Sequence, residues 1–297
     1  MKMNWFGRLL PMLALFLVSA EAFAQKMGIT GNLEWDTKEI KAVISLNLAS
    51  AGIRLPSGRP RGEAIINSEY QRIMRPAIMG IQVDSSSAIH DLVQRGELSP
   101  AQADGFAVNA RITAPYLSPD LLYLQESYVI KLDDISSALI RHNSPGEIKR
   151  TLSPVAAPAY TGIIIIASSP LPVHGMLRSA SVVPCLFPKI WDTDMNLIFE
   201  RNMMGRETKT MVRYAPRNSI FQDSPSGLSP EIAALAGSRP MRIFAQGLFG
   251  STPTDLIIDA QDALLIISSE ENRRLLREGK VIIIVDDAAL KIEINEQ

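Results

Sequence analysis

The pattern of apolar and polar positions changes character along this chain. Ile40, Ala42, Ile44, Leu46 and Leu48 alternate with Lys41, Ser45 and Asn47, the period of two expected of a strand with one buried face. The turn formers Asp36-Thr37-Lys38 sit just ahead of it, so residues 29–48 are expected to form a β-hairpin. The stretch Gly162-Ile163-Ile164-Ile165-Ile166-Ala167 has no alternation at all. It is too short to cross a bilayer, and branching at Cβ makes it a poor helix. It predicts a strand covered on both faces, at the centre of a sheet. Val281–Val285 repeats the same signature.

Helical signals fall between these strands. Glu63–Arg75 carries Ile65, Ile66, Tyr70, Ile73 and Met74 on one side and is expected to end at Pro76. It follows a Gly-, Pro- and Arg-rich loop, Leu55–Gly62. Ser85 or Ser86 is expected to cap a second helix reaching Arg95, closed by Gly96. Ser99-Pro100-Ala101-Gln102 opens a third. Leu121–Lys131 and Ile135–Arg141 read as a pair of strands. Ser144–Pro158, with three prolines and little periodicity, reads as a linker or long crossing loop.

Beyond it, Lys189-Ile190-Trp191 and Leu197-Ile198-Phe199 flank an acidic turn, Asp192–Asn196, as a hairpin would. Ser229-Pro230-Glu231 opens a short helix that Gly237 ends, and Met241–Phe249 reads as one strand. Asp255–Asp259 leads into helices Ala260–Ser268 and Glu270–Glu278, stopped by Gly279. With Val281–Val285 this suggests a crossover packed on the sheet that holds residues 162–167. The expected class is α+β: mixed sheets with helices packed on them. The expected units are 25–143 and 159–297, joined by 144–158.

Composition adds a compartment. Residues 1–24 have Lys2 and Arg8 in a positive n-region, an apolar stretch Leu9–Ala20, and Ala22-Phe23-Ala24 as a cleavage site. They are expected to be an export signal whose removal leaves Gln25 first, with no transmembrane segment afterwards. Hydrophobic content of 46% and charged content of 21% are ordinary for a packed globular protein. The formal charge of −1 leaves no electrostatic footprint for nucleic acid. Cys185 is the sole cysteine, so no internal disulfide forms; its apolar neighbours predict a buried, inert thiol.

Candidate chemistry is thin. Asp192-x-Asp194-x-Asn196 has the oxygen spacing that opens a calcium loop. Leu197 stands where the turning glycine belongs and Met203 where the bidentate glutamate belongs, so a hydrogen-bonded polar turn accounts for these residues. Asp192, Asp194 and Asn196 remain the metal candidates, and no cofactor is expected. His90, His142 and His174 show no metal-ligand spacing. Asp255, Asp259 and Asp262 could gather with Asp286 and Asp287 at a sheet end, although Asp259 is placed to cap a helix. Arg273, Arg274, Arg277 and Lys280 suit the end of their helix. Arg54, Arg59 and Arg61 form a small basic patch beside Glu63, of a kind that anionic lipid or glycan would meet. Nucleophile elbows and phosphate-cradling glycine loops are absent.

Tyr160-Thr161-Gly162-Ile163-Ile164-Ile165, then Pro188–Asp194, then Pro253-Thr254-Asp255 and Gly279–Asp286, resemble uncharacterised exported proteins of diderm bacteria, spirochaetes first. The likeness covers about residues 158–287 and touches envelope-lipoprotein and flagellar-assembly-like modules. Met195 stands where that pattern has glycine, so the hairpin turn is expected to differ. The resemblance implies no established activity and no catalytic residues. Together these readings point to an exported, non-enzymatic structural or binding protein of the periplasm or envelope, with an envelope protein as partner. The alternative is an envelope-polymer hydrolase whose carboxylates converge only in the fold.

Overall fold

A computed structural model describes residues 27–140, 142, 144–151, 155–220, 224 and 227–295. The expected export signal lies outside the described residues. The chain folds as α+β around two unlike sheets and a smaller third.

The first sheet grows from the expected hairpin. β1 (Met27–Glu34) and β2 (Glu39–Asn47) pair antiparallel, with Lys38 held in left-handed backbone at φ 59° in the turn. Ile40, Ala42, Ile44 and Leu46 are all buried, as the alternation requires. The helix α1 (Arg59–Met79) lies over this inner face and buries Gly62, Ile66, Tyr70, Met74 and Ile78, one residue per turn. It is longer at both ends than its apolar pattern indicated. Pro60 sits in the first turn, where no N–H is needed. Pro76 loses one backbone bond but does not end the helix, because buried Ile78 anchors the last turn and Gly80 N–H bonds Pro76 O at 3.0 Å.

β3 (Gln82–Asp84) and β4 (Ser87–Ala88) form a small hairpin, followed by α2 (Ile89–Gln94) and α3 (Pro100–Val108). Ser85 and Ser86 occupy the hairpin turn rather than a cap. α2 starts later, where the Asp91 carboxylate accepts the Ala88 N–H at 2.8 Å. Ser99 and Gln102 do form the expected capping box of α3. After β5 (Arg111–Ile112) and β6 (Tyr116–Leu117), β7 (Tyr123–Lys131) completes the sheet against β2. The second expected strand, Ile135–Arg141, is instead mostly α4 (Leu132–Leu139). Its buried residues, Leu132, Ile135, Ser136 and Leu139, follow helical rather than alternating spacing.

The second sheet is parallel throughout: β13 (Arg213–Pro216), β17 (Val281–Val285), β8 (Ile163–Ile166) and β14 (Met241–Phe244), in that order. β8 is central, as its composition predicted. Ile163 and Ile165 join Val281, Ile283 and Met241 in the main core. Ile164 joins Ile282, Ile284, Leu228 and Ile232, the last on α5 (Pro230–Ala236), in a separate apolar cluster on the opposite face. Both faces are therefore dry.

A hairpin, β9 (Leu171–Pro172) with β10 (Ser179–Ala180), leads to the third sheet. This contains β12 (Leu197–Phe199), β11 (Ile190–Asp192), β16 (Asp255–Ile258) and β15 (Gly247–Phe249). Two expectations change here. Met241–Phe249 is two strands: the chain crosses between sheets at Ala245, whose N–H bonds Ile166 O, and Gln246, whose N–H bonds Ile257 O. The crossover through α6 (Ala260–Ser268) and α7 (Glu270–Arg277) also joins different sheets, since β16 pairs with β11 and β17 with β8.

The halves are tied closely. One apolar core runs from the inner face of the first sheet to one face of the parallel sheet. Trp35 meets Tyr214 edge-on at 5.8 Å. β18 (Lys291–Asn295) returns to the first sheet and pairs with β1.

Candidate functional site

The outer face of the first sheet carries a broad surface rich in polar side chains. Antiparallel register places side chains in rows across the strands. One row runs Asn295, Thr30, Val43 and Ser127, and the next Glu293, Asn32, Lys41 and Val129. The alternation that buries Ile40 and Ile44 obliges these neighbours to face outward. They line a groove of about 570 Å³ that spans β18, β1, β2 and β7. At Gly31 β1 lies close against the β2 backbone, where a Cβ would stand 2.2 Å from Lys41 O. Lys41 Nζ lies 2.6 Å from Glu34 and 3.5 Å from Glu39. The Lys41 hydrogen bond holds the Glu34 carboxyl below its usual range. Gln125 donates to Ser45 Oγ at 2.9 Å. The groove thus offers amide, hydroxyl and internally balanced charged groups. It can hold a polar ligand or protein segment by hydrogen bonds, and it presents no activated nucleophile.

A second polar cleft, about 340 Å³, lies where the halves meet. Asp133, Thr208, Lys209, Thr210 and Arg213 line it. Lys38, almost wholly buried, donates to Asp133 at 3.0 Å, and the Thr210 hydroxyl donates to the same oxygen. Burial lowers the Lys38 pKa to about 8 against the opposing pull of Asp133. Burial alone would raise Asp133, yet the Lys38 charge and the Thr210 hydroxyl bring it below the ordinary carboxylate value. This is an ion pair at neutral pH, and it clamps the β1–β2 turn and α4 to the segment before β13. Nothing local in the sequence marks it, because its three members stand 95 and 77 residues apart.

The sequence candidates are dispersed. The acidic hairpin forms as expected, and Met195 takes the left-handed conformation, φ 59°, that the missing glycine would have held. Asp192 accepts from Asp194 N–H at 3.0 Å, Asn196 N–H at 2.7 Å and Asn196 Nδ2 at 2.9 Å. Its oxygens organise the turn, which Asp194 serves through its backbone N–H and Asn196 through both backbone N–H and side-chain amide. Among the described residues no three His, Cys, Asp or Glu side chains converge in a metal-binding group. His90 neighbours Asp91 on α2, His142 bonds Met204 O, and His174 packs on Phe249.

Asp255, Asp259, Asp286 and Asp287 have separate employments, while Asp262 stands within the charge influence of Asp259. Asp259 caps α6 and Asp286 caps a short 3-10 turn. Asp287 accepts the Arg217 N–H. Asp255 is buried between β11 and the β3–β4 turn, accepting from Lys189 N–H, Thr254, Trp191 and Ser85. Burial outweighs these donors and raises its pKa. Cys185 is buried, and burial with the nearby Asp255 charge pushes its thiol far up, away from reactivity. On α7, Arg273 and Arg277 bond Glu270, while Arg274 and Lys280 pair with Glu278.

No curated protein matches the chain. Residues 26–138 match the family model described as Treponema pallidum Tp0624, N-terminal domain. Residues 162–287 match the one described as Treponema pallidum Tp0624, second domain. The second match coincides with the region whose motifs resembled spirochaete proteins, and the first adds the half in which no motif stood out. Neither description mentions a flagellar or lipoprotein module. In chain order, therefore, this protein carries two regions similar to consecutive parts of one spirochaete protein.

Proposed function

We propose that this chain is an exported, non-enzymatic binding or structural protein of the cell envelope, and that its outer sheet face is the working surface. The observation that carries the reading is the groove across β18, β1, β2 and β7, with Thr30, Asn32, Lys41, Val43 and Ser127 in ordered rows. A sheet face left polar beside a fully apolar parallel sheet is suited to holding a partner by directed hydrogen bonds. The signal-like residues 1–24 support the envelope setting.

The hydrolase alternative needs two carboxylates of raised pKa in one cleft. Asp255 and Asp262 are raised, both by burial and Asp262 also by Asp259. Neither lines either of the clefts described above. Photo-crosslinking in intact cells tests the proposal, with the reactive group at Val43 or Ser127 and, as control, at Arg72 on α1. Defined adducts from the sheet positions and none from Arg72 are expected. Equal or absent adducts would remove the sheet face from consideration. Release of soluble fragments from envelope polymer by the isolated chain, lost in Asp262→Asn, would replace binding with hydrolysis.

A further inference from the structure

One end of the first sheet gathers features that belong together at a lipid surface. The β6–β7 turn exposes Leu121 and Leu122 by 58% and 51%, and Tyr116 and Tyr123 beside them by 43% and 37%. This turn is braced. The Ser118 hydroxyl donates to Asp120, which also accepts the Leu122 N–H at 3.1 Å, and Ser118 accepts the Tyr123 N–H at 2.9 Å. Leu121 itself is held in left-handed backbone at φ 59°. The chain spends conformational free energy to present two leucines to water.

Register places three further features at this same end. Leu46 pairs with Leu124 on β7 and with Met27 on β1, so β1 begins at this end. The start of α1 packs here too, since a Cβ on Gly62 would touch Leu124 and Leu46. That brings in the basic loop: Arg59 donates to Pro115 O at 2.8 Å, next to Tyr116, and Arg54 and Arg61 are exposed alongside. Three arginines stand against Glu63, which pairs with Arg59, and Asp120, which is committed to its turn.

Leucines at a tip, tyrosines at its shoulders and arginines around them are the side-chain order that suits an anionic bilayer, from acyl chains out to headgroups. We infer that this end of the sheet, Tyr116, Leu121, Leu122 and Tyr123 with Arg54 and Arg61, docks on an anionic lipid surface. The contact is independent of the polar sheet face.

The chain as isolated from producing cells would be sedimented with vesicles of phosphatidylcholine, alone or with phosphatidylglycerol. Vesicles containing phosphatidylglycerol should carry it down. Leu121→Ser/Leu122→Ser should lower the bound fraction about tenfold, and Arg54→Glu/Arg61→Glu should abolish the preference for phosphatidylglycerol. Leu177→Ser, which removes a wholly exposed leucine on the β9–β10 hairpin, should change nothing. As a measure that leaves the turn intact, Tyr123→Trp should be quenched by brominated lipid. Equal loss in Leu177→Ser, no vesicle binding by the unaltered chain, or unquenched Trp emission would each overturn the inference.

Discussion

The antiparallel sheet of the N-terminal half and the parallel sheet of the C-terminal half use similar branched residues to opposite ends. In β2 every second residue except Val43 is polar, so one face is core and the other is wet. In β8 and β17 no residue is polar, and successive isoleucines serve two different apolar clusters. Parallel strands are joined by crossovers that cover both faces, whereas a hairpin leaves one face free. The period, more than the composition, decides which sheet can meet a partner.

The sharpest way to break this contrast is to place a carboxylate in each sheet. Ile164→Asp and Ile165→Asp point to opposite faces, and each buries an unpaired charge. Each should cost several kcal/mol, comparable to the whole stability of a domain. Val43→Asp, on the wet face, should cost under about 1 kcal/mol. Limited proteolysis of the three variants checks this; a tolerated aspartate at Ile164 or Ile165 would show that the parallel sheet also has an open side.

The clamp between the halves comes next in size. Lys38→Ala leaves Asp133, about one-third exposed, without its cation, and should cost about 2 kcal/mol in denaturant titration. Lys38→Met with Asp133→Leu should recover most of that loss. The pair also sets a pH response. Asp133 is lowered when folded, so its contribution is full above the unfolded carboxylate value of about 3.9 and is lost as pH falls through the lower folded value. Lys38, lowered to about 8, makes stability rise with pH between there and about 10.4. Asp133→Asn should flatten the acid limb of a melting-temperature profile.

The smallest effect belongs to the acidic hairpin. Met195→Gly relieves left-handed backbone and should stabilise by about 0.5 kcal/mol, because glycine gives back part of the gain as entropy. Millimolar calcium should leave the melting temperature of the unaltered chain unchanged, since Asp192 is bonded within its own turn. A calcium-dependent rise abolished by Asp194→Ala would restore the metal reading.

Where a local rule governs, the residues announced the structure. The isoleucine run, the alternation of β2, the Ser99 capping box and the Ser229–Gly237 helix all depend on neighbours within one element. The misread segments turned on tertiary contacts. α1 passes Pro76 because Ile78 has a buried place to go, and Leu132–Leu139 is a helix because it packs inward on one side. The polar groove was half legible: Lys41, Ser45 and Asn47 marked an outward face, but not the strands that would join it. Lys38, Asp133 and Thr210 left no trace, since their meeting depends on how distant segments dock.

The return of β18 to the edge of β1 bears on how this protein is made. Leu33 and Ile292 are neighbours in the sheet but stand about 260 residues apart in the chain. During synthesis at roughly 5–20 residues per second, that edge of β1 waits on the order of tens of seconds for its last partner. Closing so long a loop is also slow to nucleate, because its entropy is lost before its contacts are gained. A growing chain therefore carries an uncovered strand edge throughout, the kind of surface that invites pairing with other chains. An attendant that shields extended segments until Lys291–Asn295 arrives would raise the yield of folded protein.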